Sequence, residues 1–131
     1  MNKLHDQKIA HRDIKPANFM YCEDKKRLIL TDFGTARLCL DLAKTTIGSP
    51  LYMFPNVLSG EKYDAFAADL WSMGIFLYEM ATGELPYKAD SLEELKDMWK
   101  ARKFNYPSHV KLSSCLKDLI DKMIVKGNIS F

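Results

Sequence analysis

The 131-residue sequence has no long apolar run and almost no net charge. Its most apolar stretch covers residues 70–81, and Ser72, Gly74 and Glu79 interrupt it. A membrane span needs roughly 18 or more apolar residues, so this stretch predicts a buried helix instead. Nineteen basic and 17 acidic residues leave a formal charge of +2, which does not favour binding to nucleic acid or to a membrane surface. We therefore expect no membrane span and no nucleic-acid partner.

Cysteine is also scarce in this sequence. Cys22, Cys39 and Cys115 are far apart, odd in number and without the spacing of metal ligands. This pattern predicts free thiols in a reducing compartment and argues against a disulfide framework. The first six residues contain no apolar segment of the kind found in signal peptides. Together these absences favour a cytoplasmic location.

The composition indicates a globular chain. Hydrophobic residues make up 47% of the sequence and charged residues 27%, a balance typical of folded proteins and not of disordered ones. The length allows one domain at most. Because helical spacing of apolar residues dominates, we predict a mainly α fold of the α+β class with one small β-hairpin.

The strongest helix signal covers residues 66–81, where 12 of 16 positions are apolar, so a helix buried on nearly all sides is expected. Gly83 supplies a stop signal just beyond it. Ser91 and Glu94 have the spacing of a capping box, which predicts the start of another helix. A last helix begins at the serine of position 113 or 114. Shorter helical turns are predicted at residues 1–7 and 55–58, and loops at residues 9–17 and 35–50.

The hairpin is predicted from two short strand patterns at residues 19–21 and 27–31, with a polar turn between them. This arrangement places Asn18 just before the first strand and Asp32 just after the second. Both polar side chains then emerge at one end of the hairpin, where an amide oxygen and a carboxylate can hold a hard cation such as Mg²⁺. Taken singly, each residue is also an ordinary turn residue.

Four motifs in a fixed order give a more specific signal. They are His11-Arg12-Asp13-Ile14-Lys15-Pro16-Ala17-Asn18, Asp32-Phe33-Gly34, Gly48-Ser49-Pro50-Leu51-Tyr52-Met53-Phe54-Pro55 and Asp69-Leu70-Trp71-Ser72-Met73-Gly74. In this order and at this spacing they resemble the C-terminal lobe of a eukaryotic-type Ser/Thr protein kinase, and the resemblance covers nearly the whole chain. The tract from Gly48 to Met53 is further similar to the autophagy-initiating (ULK/Atg-type) kinases.

The resemblance implies ATP-dependent phosphoryl transfer to Ser or Thr hydroxyls of a protein substrate. Asp13, in a catalytic loop formed by residues 11–18, would orient the substrate hydroxyl and accept its proton. Lys15 would neutralise charge on the transferring phosphate of ATP. Asn18 and Asp32 would hold Mg²⁺ against the ATP phosphates.

Further residues take supporting roles in the same resemblance. Asp69 would be a scaffold that accepts backbone hydrogen bonds from the catalytic loop, and Ser49 would face the substrate. Arg12 next to the catalytic acid suggests regulation, because an Arg at this position can pair with a phosphate on the 35–50 loop. Thr45 and Thr46 are the candidate phosphorylation sites, and Thr45 is favoured. The alternative is that both are ordinary solvated loop residues.

The sequence departs from the family pattern in its N-terminal half. No glycine-rich loop, strand lysine or partner glutamate lies among the 131 residues, since Met1 stands only ten residues before His11. We therefore expect residues 1–131 to form a partial kinase domain, the C-terminal lobe without its N-terminal lobe. It would be inactive alone and would depend on a longer chain or another protein for that lobe. The alternatives are a non-catalytic, kinase-derived binding module and a truncated product.

A second departure concerns an ion pair. The family's Ala-Pro-Glu reads Phe54-Pro55-Asn56 here, and the Arg that usually pairs with that Glu is missing near Asn128. Loss of both partners is less harmful than loss of one, because an orphaned buried charge costs about 3–5 kcal/mol. A hydrogen bond between Asn56 and Asn128 is the expected replacement.

Overall fold

The computed structural model describes residues 1–101 and 104–124 of the chain. This part contains five α-helices and two two-stranded antiparallel sheets, which is the mainly α architecture predicted for a kinase C-terminal lobe. In chain order the elements are α1 (Asn2–Asp6), β1 (Ile9–Ala10), β2 (Phe19–Cys22), β3 (Arg27–Leu30), β4 (Arg37–Leu38), α2 (Pro55–Leu58), α3 (Ala65–Thr82), α4 (Leu92–Ala101) and α5 (Ser114–Ile124).

Helix α3 is the centre of the core, as its apolar sequence predicts. Asp64 caps its first turn by accepting a hydrogen bond from the Phe66 N–H at 2.8 Å. Gly83 ends it with φ of 80°, a left-handed conformation that favours glycine. Burial is less complete than predicted, since Leu70 and Met80 are 45% and 56% exposed. The core side chains on α3, α4 and α5 include Trp71, Ile75, Tyr78, Leu95, Trp99, Ile120 and Ile124.

Gly74 lets α3 and α5 approach each other closely. A Cβ atom at this position would lie 2.8 Å from Met123 Cβ and 2.9 Å from Ile124 Cγ1. Such distances are shorter than van der Waals contact allows, so only glycine fits without a shift of α5. Among the described residues, no helix is long and apolar enough to cross a membrane.

The predicted hairpin is present as β2 and β3. In its register Phe19 pairs with Leu30, and Cys22 pairs with Arg27. Phe19 also stacks on Phe76 of α3 with ring centroids 4.4 Å apart, and this contact attaches the hairpin to the core. Asn18 therefore precedes the paired strands and Asp32 follows them at the same end, as the sequence predicts.

A second small sheet was not predicted from the sequence. Ile9–Ala10 (β1) pairs with Arg37–Leu38 (β4), so the predicted loops at residues 9–17 and 35–50 each contain a short strand. The first of these loops also ends in a 3₁₀ turn, Pro16–Asn18. Strands of two residues are too short to have a periodic pattern, and their pairing depends on contacts distant in sequence.

The predicted helix starts at Ser91 and near Ser113 are confirmed. Ser91 Oγ accepts a hydrogen bond from the Glu94 N–H at 3.1 Å, and Glu94 Oε2 accepts one from the Asp90 N–H at 2.9 Å. Ser113 Oγ accepts from the Leu116 N–H at 3.2 Å. These bonds satisfy backbone donors that a helix N-terminus leaves without intrahelical partners.

Asn56 occupies the place of the family's glutamate on α2. Its side chain is buried, and its Nδ2 donates to Glu61 Oε2 at 3.2 Å. Asn128 lies outside the described residues, so the expected Asn56–Asn128 hydrogen bond stays a prediction.

Candidate active site

The turn after β1 brings Asp13, Lys15 and Asn18 into contact. Pro16 begins the 3₁₀ turn that folds Asn18 back towards Asp13. Asn18 Nδ2 donates to the Asp13 backbone oxygen at 2.7 Å and to its carboxylate Oδ2 at 3.1 Å. Lys15 Nζ lies 2.8 Å from the same Oδ2. One carboxylate is thus held between an amide and an ammonium group.

Ser49 joins this cluster from the far end of the 35–50 loop. Lys15 Nζ donates to Ser49 Oγ at 3.0 Å, and Ser49 Oγ donates to Asp13 Oδ1 at 3.4 Å. Gly48 permits this approach, because its φ is 119° and a Cβ there would lie only 3.1 Å from the Arg12 backbone oxygen. The Ser49 hydroxyl therefore contacts both the carboxylate and the ammonium group of the catalytic loop.

The surroundings of Asp13 keep its carboxyl group ionised. Partial burial raises its pKa, but hydrogen bonds from Lys15 and Asn18 and the positive charge of Lys15 outweigh that effect. The net result is a pKa below the ordinary value of 3.8. At neutral pH Asp13 is an anion and accepts hydrogen bonds from a neighbouring hydroxyl.

At the end of the hairpin, Asp32 directly follows Thr31, which is hydrogen-bonded to Asn18. Thr31 donates to the Asn18 backbone oxygen through its N–H at 2.8 Å and its Oγ1 at 3.0 Å. Asp32 leaves the hairpin with φ of 56°, a left-handed conformation that Asp tolerates better than most residues. Its Oδ1 accepts from the Gly34 N–H at 3.2 Å, and its Oδ2 accepts no hydrogen bond from the described residues.

These donors fit a magnesium ion that also takes phosphate oxygens. An amide oxygen from Asn18 and a carboxylate oxygen from Asp32 are the hard ligands that Mg²⁺ prefers. Within residues 1–101 and 104–124 there is no group of three or more His, Cys, Asp or Glu side chains able to hold a metal. Two such ligands would leave the other positions of an octahedral Mg²⁺ to water or phosphate oxygens.

Asp69 on α3 accepts three hydrogen bonds from the chain around the catalytic loop. Its Oδ1 accepts from the Arg12 N–H at 2.7 Å, and its Oδ2 accepts from the His11 N–H at 2.8 Å and from His5 Nε2 at 3.0 Å. The side chain is 1% exposed, so these donors are needed to offset the cost of burying a carboxylate. They fix the backbone just before Asp13 to the core.

His11 links the catalytic loop to the hairpin. Its Nε2 donates to the Thr31 backbone oxygen at 3.0 Å, and its Nδ1 accepts from the Asp13 N–H at 3.4 Å. Its ring also meets the edge of the Phe33 ring, with centroids 5.1 Å apart. The imidazole therefore packs and hydrogen-bonds between segments.

Arg12 connects the catalytic loop to the start of the 35–50 loop. Its backbone is in the left-handed region, with φ of 68°, which costs a non-glycine residue roughly 1–2 kcal/mol. Its Nε and Nη2 donate to the Thr35 backbone oxygen at 2.8 and 2.6 Å, and Thr35 Oγ1 donates to the His11 backbone oxygen at 2.8 Å. These three bonds help to hold the strained backbone in place.

The structure places the two candidate phosphorylation sites differently. Thr45 lines a concave pocket together with Arg12 and Arg37. Thr46 Oγ1 instead donates to the Val57 backbone oxygen of α2 at 3.2 Å. Both threonines are exposed. Thr45 thus shares a pocket with Arg12, Arg37 and Asp41, whereas the Thr46 hydroxyl is bonded to α2.

Sequence reasoning missed three residues that support this site. His5 donates to Asp69, Thr35 accepts from Arg12, and Tyr63 is buried against the 35–50 loop. The partners of His5 and Tyr63 lie 64 and 18 residues away along the chain. No local pattern indicates contacts over such separations, so these roles have no signal in a single sequence.

The chain is similar to known protein kinases over most of its length. A family model described as "Protein kinase domain" matches residues 1–129. The chain is 39% identical over 125 residues to "Probable serine/threonine-protein kinase MARK-B" and 40% identical over 125 residues to "Serine/threonine-protein kinase atg1", both from Dictyostelium discoideum. It is 39% identical over 132 residues to "Serine/threonine-protein kinase ATG1b" of Arabidopsis thaliana.

These matches cover most of this chain but little of each relative. They include 92%, 92% and 96% of the chain, and 17%, 18% and 18% of the three relatives. The chain thus spans less than one fifth of the length of these proteins. The expected similarity to Atg-type kinases is confirmed, and the nearly equal identity to MARK-B shows that similarity is not restricted to that group.

Proposed function

The chain belongs to the protein kinase domain family, with Ser/Thr protein kinases as relatives, and from this we propose that it carries the catalytic-loop side of an ATP-dependent protein Ser/Thr kinase. The observation that carries the proposal is the contact of Asp13 with Lys15, Asn18 and Ser49 at 2.7–3.4 Å. Phosphoryl transfer depends on positioning and charge neutralisation more than on covalent chemistry, and this cluster supplies both.

In the proposed reaction Asp13 is the catalytic base. A substrate Ser or Thr hydroxyl donates its hydrogen bond to the Asp13 carboxylate and passes its proton there as its oxygen bonds to the γ-phosphorus of ATP. The bond from that phosphorus to the bridging oxygen of ADP breaks at the same time. Lys15 is placed to neutralise charge on the transferring group, because its Nζ lies 2.8 Å from the Asp13 carboxylate. Ser49, bonded to both, faces the substrate.

Asn18 and Asp32 are the residues that would hold Mg²⁺ in this proposal. When bound, the ion would neutralise the negative charge of the ATP phosphates. The chain's own contribution is to orient its ligands. Asn18 is 5% exposed and its Nδ2 is bonded to Asp13, which fixes the direction of its amide, whereas Asp32 is exposed beside it.

The groups that cover the ATP phosphates would come from outside residues 1–131. A glycine-rich loop, a strand lysine and its glutamate partner complete a kinase site, and this sequence contains no such loop. We propose that a longer chain or a partner protein supplies them. Orientation of bound reactants contributes roughly 7–11 kcal/mol to lowering a barrier, so these 131 residues alone would transfer phosphate at an undetectable rate.

We further propose that phosphorylation of Thr45 regulates this site. A phosphate there would enter the pocket lined by Arg12, Arg37 and Asp41 and accept charge-assisted hydrogen bonds from the two guanidinium groups, against the repulsion of the single Asp41 carboxylate. Thr46 is the second candidate. Its hydroxyl is bonded to the Val57 backbone oxygen, so it would first have to leave that contact.

The activity is tested with the natural protein that contains these residues. Incubated with γ-labelled ATP and Mg²⁺, it should label Ser and Thr but not Tyr in a mixed peptide library. Asp13→Asn should lower the rate about 10²–10⁴-fold, because the proton acceptor is lost. The control is Asp24→Asn, at an exposed position in the hairpin turn, which should leave the rate unchanged. Equal rates for the two variants would contradict the proposal.

A non-catalytic binding module is the second candidate function. It is favoured by the hairpin, where Met20 and Ile29 on one face are 64% and 48% exposed and Tyr21 and Leu28 on the other face are 60% and 46% exposed. Exposed apolar patches of this kind favour protein contacts or aggregation. Thermal melting with and without Mg²⁺ and ATP distinguishes the two. A melting temperature that rises with ATP supports a nucleotide site, and an unchanged one favours the binding module.

A cytoplasmic location is part of the same proposal. Cys22, Cys39 and Cys115 are free thiols in the part of the chain that the structure describes, as is usual in a reducing compartment.

A further inference from the structure

Tyr63 is buried beneath the 35–50 loop and contacts it at two positions. Its side chain is 4% exposed. Its backbone N–H donates to the Ala43 oxygen at 2.9 Å, and its backbone oxygen accepts from the Ala43 N–H at 2.8 Å, which forms an isolated antiparallel bridge. Its hydroxyl donates to the Thr45 backbone oxygen at 2.9 Å. One residue outside the loop therefore fixes both Ala43 and Thr45.

Tyr63 also lies beside Arg12. The two residues line the same small cavity, together with Gly48 and Ser49 at the end of the loop. Burial raises the pKa of the Tyr63 hydroxyl, and the nearby Arg12 guanidinium offsets part of that rise. Because Arg12 also donates to the Thr35 oxygen, it is in contact with both the start of the loop and the residue that holds its middle.

The rest of the loop is attached to neighbouring elements as well. The Cys39 N–H donates to the Lys8 oxygen at 2.7 Å beside the β1–β4 pair. Thr46 Oγ1 donates to the Val57 oxygen, and Ser49 contacts Asp13 and Lys15. All of these bonds join groups of the unmodified chain. The loop is thus fastened along its length without a phosphate.

We propose that Tyr63 is a positioning residue that keeps the middle of the 35–50 loop ordered before any phosphorylation. It joins Thr45 to the Arg12 side of the site, which is the connection that a phosphate on Thr45 would also make. The regulatory meaning of this order rests on the proposed function. The order itself does not, since it follows from hydrogen bonds between Tyr63, Ala43 and Thr45.

Tyr63→Phe tests the proposal because it removes the hydroxyl and keeps the ring. Residue-resolved amide hydrogen exchange of the 131-residue chain is the measurement. The Ala43 N–H keeps its own bond to the Tyr63 backbone oxygen in this variant. We expect its amide to exchange roughly 2- to 10-fold faster, because local opening of the loop becomes easier by the free energy of the lost Tyr63–Thr45 hydrogen bond. The exchange rate of the Cys39 amide should be unchanged. This amide lies in the same loop but donates to the Lys8 oxygen outside it. The matched control is Tyr78→Phe, since the Tyr78 hydroxyl also donates to a backbone oxygen, that of Asn105, at 2.7 Å.

Two results would overturn the role of Tyr63. One is an unchanged Ala43 exchange rate in Tyr63→Phe. The other is equal acceleration at Ala43 and Cys39, which would mean general destabilisation. A second variant, Ala43→Pro, removes the hydrogen bond from the Ala43 N–H to the Tyr63 backbone oxygen in this bridge. It should speed tryptic cleavage after the exposed Lys44, and an unchanged cleavage rate would also count against the proposal.

A chain that carries phosphothreonine at position 45 separates this proposal from the regulation proposed above. There, Tyr63→Phe should have no effect on Ala43 exchange, because the phosphate bonds to Arg12 and Arg37 would hold the loop. If Tyr63→Phe speeds Ala43 exchange equally with and without the phosphate, the result would support the proposal that Tyr63 orders the loop. It would at the same time contradict phosphate capture by the two arginines.

Discussion

The carboxylate of Asp69 accepts hydrogen bonds from His5, His11 and Arg12 at a site that is 1% exposed. Asp69→Asn would place an NH₂ group against one of these donors. We expect the free energy of unfolding to fall by about 2–4 kcal/mol, because a buried donor is left without an acceptor. Urea unfolding measures this change.

The control for Asp69 lies at the start of the same helix. Asp64 caps α3 at an exposed position, and Asn is an equally good N-cap residue. Asp64→Asn should therefore change the free energy of unfolding by less than about 0.5 kcal/mol. Equal losses in the two variants would mean that Asp69 is not the carboxylate that holds the catalytic loop.

The pKa of Asp13 reports directly on its contact with Lys15. Lys15→Met removes both a hydrogen bond and a positive charge and leaves the burial, so we expect the Asp13 pKa to rise above its present lowered value. A ¹³C NMR titration of the side-chain carboxyl measures it. The same pKa in both proteins would show that Lys15 does not contact the carboxylate in solution.

The sign of the effect on stability follows from the direction of the shift. Because folding lowers the pKa of Asp13, its ionisation stabilises the folded chain above the ordinary pKa of 3.8. That contribution is lost as the pH falls below 3.8 and through the lowered folded value. In Lys15→Met, the stability that Asp13 loses on protonation below the ordinary pKa should be smaller or absent.

The contacts within the catalytic loop were the part of the site that the sequence could predict. Asp13, Lys15 and Asn18 lie within six positions of each other, so the motif itself limits how far apart they can be. Ser49 was placed only by resemblance, and the structure brings it to the same cluster. Tyr63 and His5 could not be predicted, since their contacts depend on how α3 packs against distant segments.

At the scale of elements, the long and strongly patterned segments were predicted best. Twelve apolar residues in 16 positions predict α3, and side-chain caps predict the starts of α4 and α5. The β1–β4 pair could not be predicted, because two-residue strands gain their hydrogen bonds from the tertiary fold and have no pattern of their own.

Tyr87 tests how the segment between α3 and α4 packs against α3. Its ring stacks on Trp71 of α3 with centroids 6.4 Å apart. Its hydroxyl is buried and has no hydrogen-bond partner among the described residues, and burial raises its pKa to about 12. Tyr87→Phe removes an unsatisfied polar group, so we expect the free energy of unfolding to stay the same or rise by about 1 kcal/mol in urea unfolding.

Tyr78→Phe is the matched comparison, since the Tyr78 hydroxyl is bonded to the Asn105 oxygen at 2.7 Å. Loss of that bond should lower the free energy of unfolding by about 1 kcal/mol. If Tyr87→Phe were the more destabilising of the two, the Tyr87 hydroxyl would have a partner in solution, and the packing described for this region would be wrong.

In the whole molecule, three separate segments are brought together beside α3. The catalytic loop is bonded to Asp69, the hairpin stacks on Phe76, and the end of the 35–50 loop contacts Asp13 through Ser49. The proposed site is thus assembled by the core and not by any single motif. Four ordered motifs were enough to predict this assembly, because a known family resemblance supplied the tertiary arrangement.

We propose that Asn18 and Asp32 share one divalent ion with the ATP phosphates next to Asp13. Paramagnetic Mn²⁺, which takes the same oxygen ligands as Mg²⁺, tests it in the ¹⁵N-labelled chain with excess ATP. The diamagnetic reference is the same sample with Mg²⁺ and ATP. We expect the amide signals of Asn18, Asp32 and Asp13 to broaden together, and we expect Asp32→Asn to remove the broadening. Broadening confined to other surfaces, or unchanged in Asp32→Asn, would contradict it.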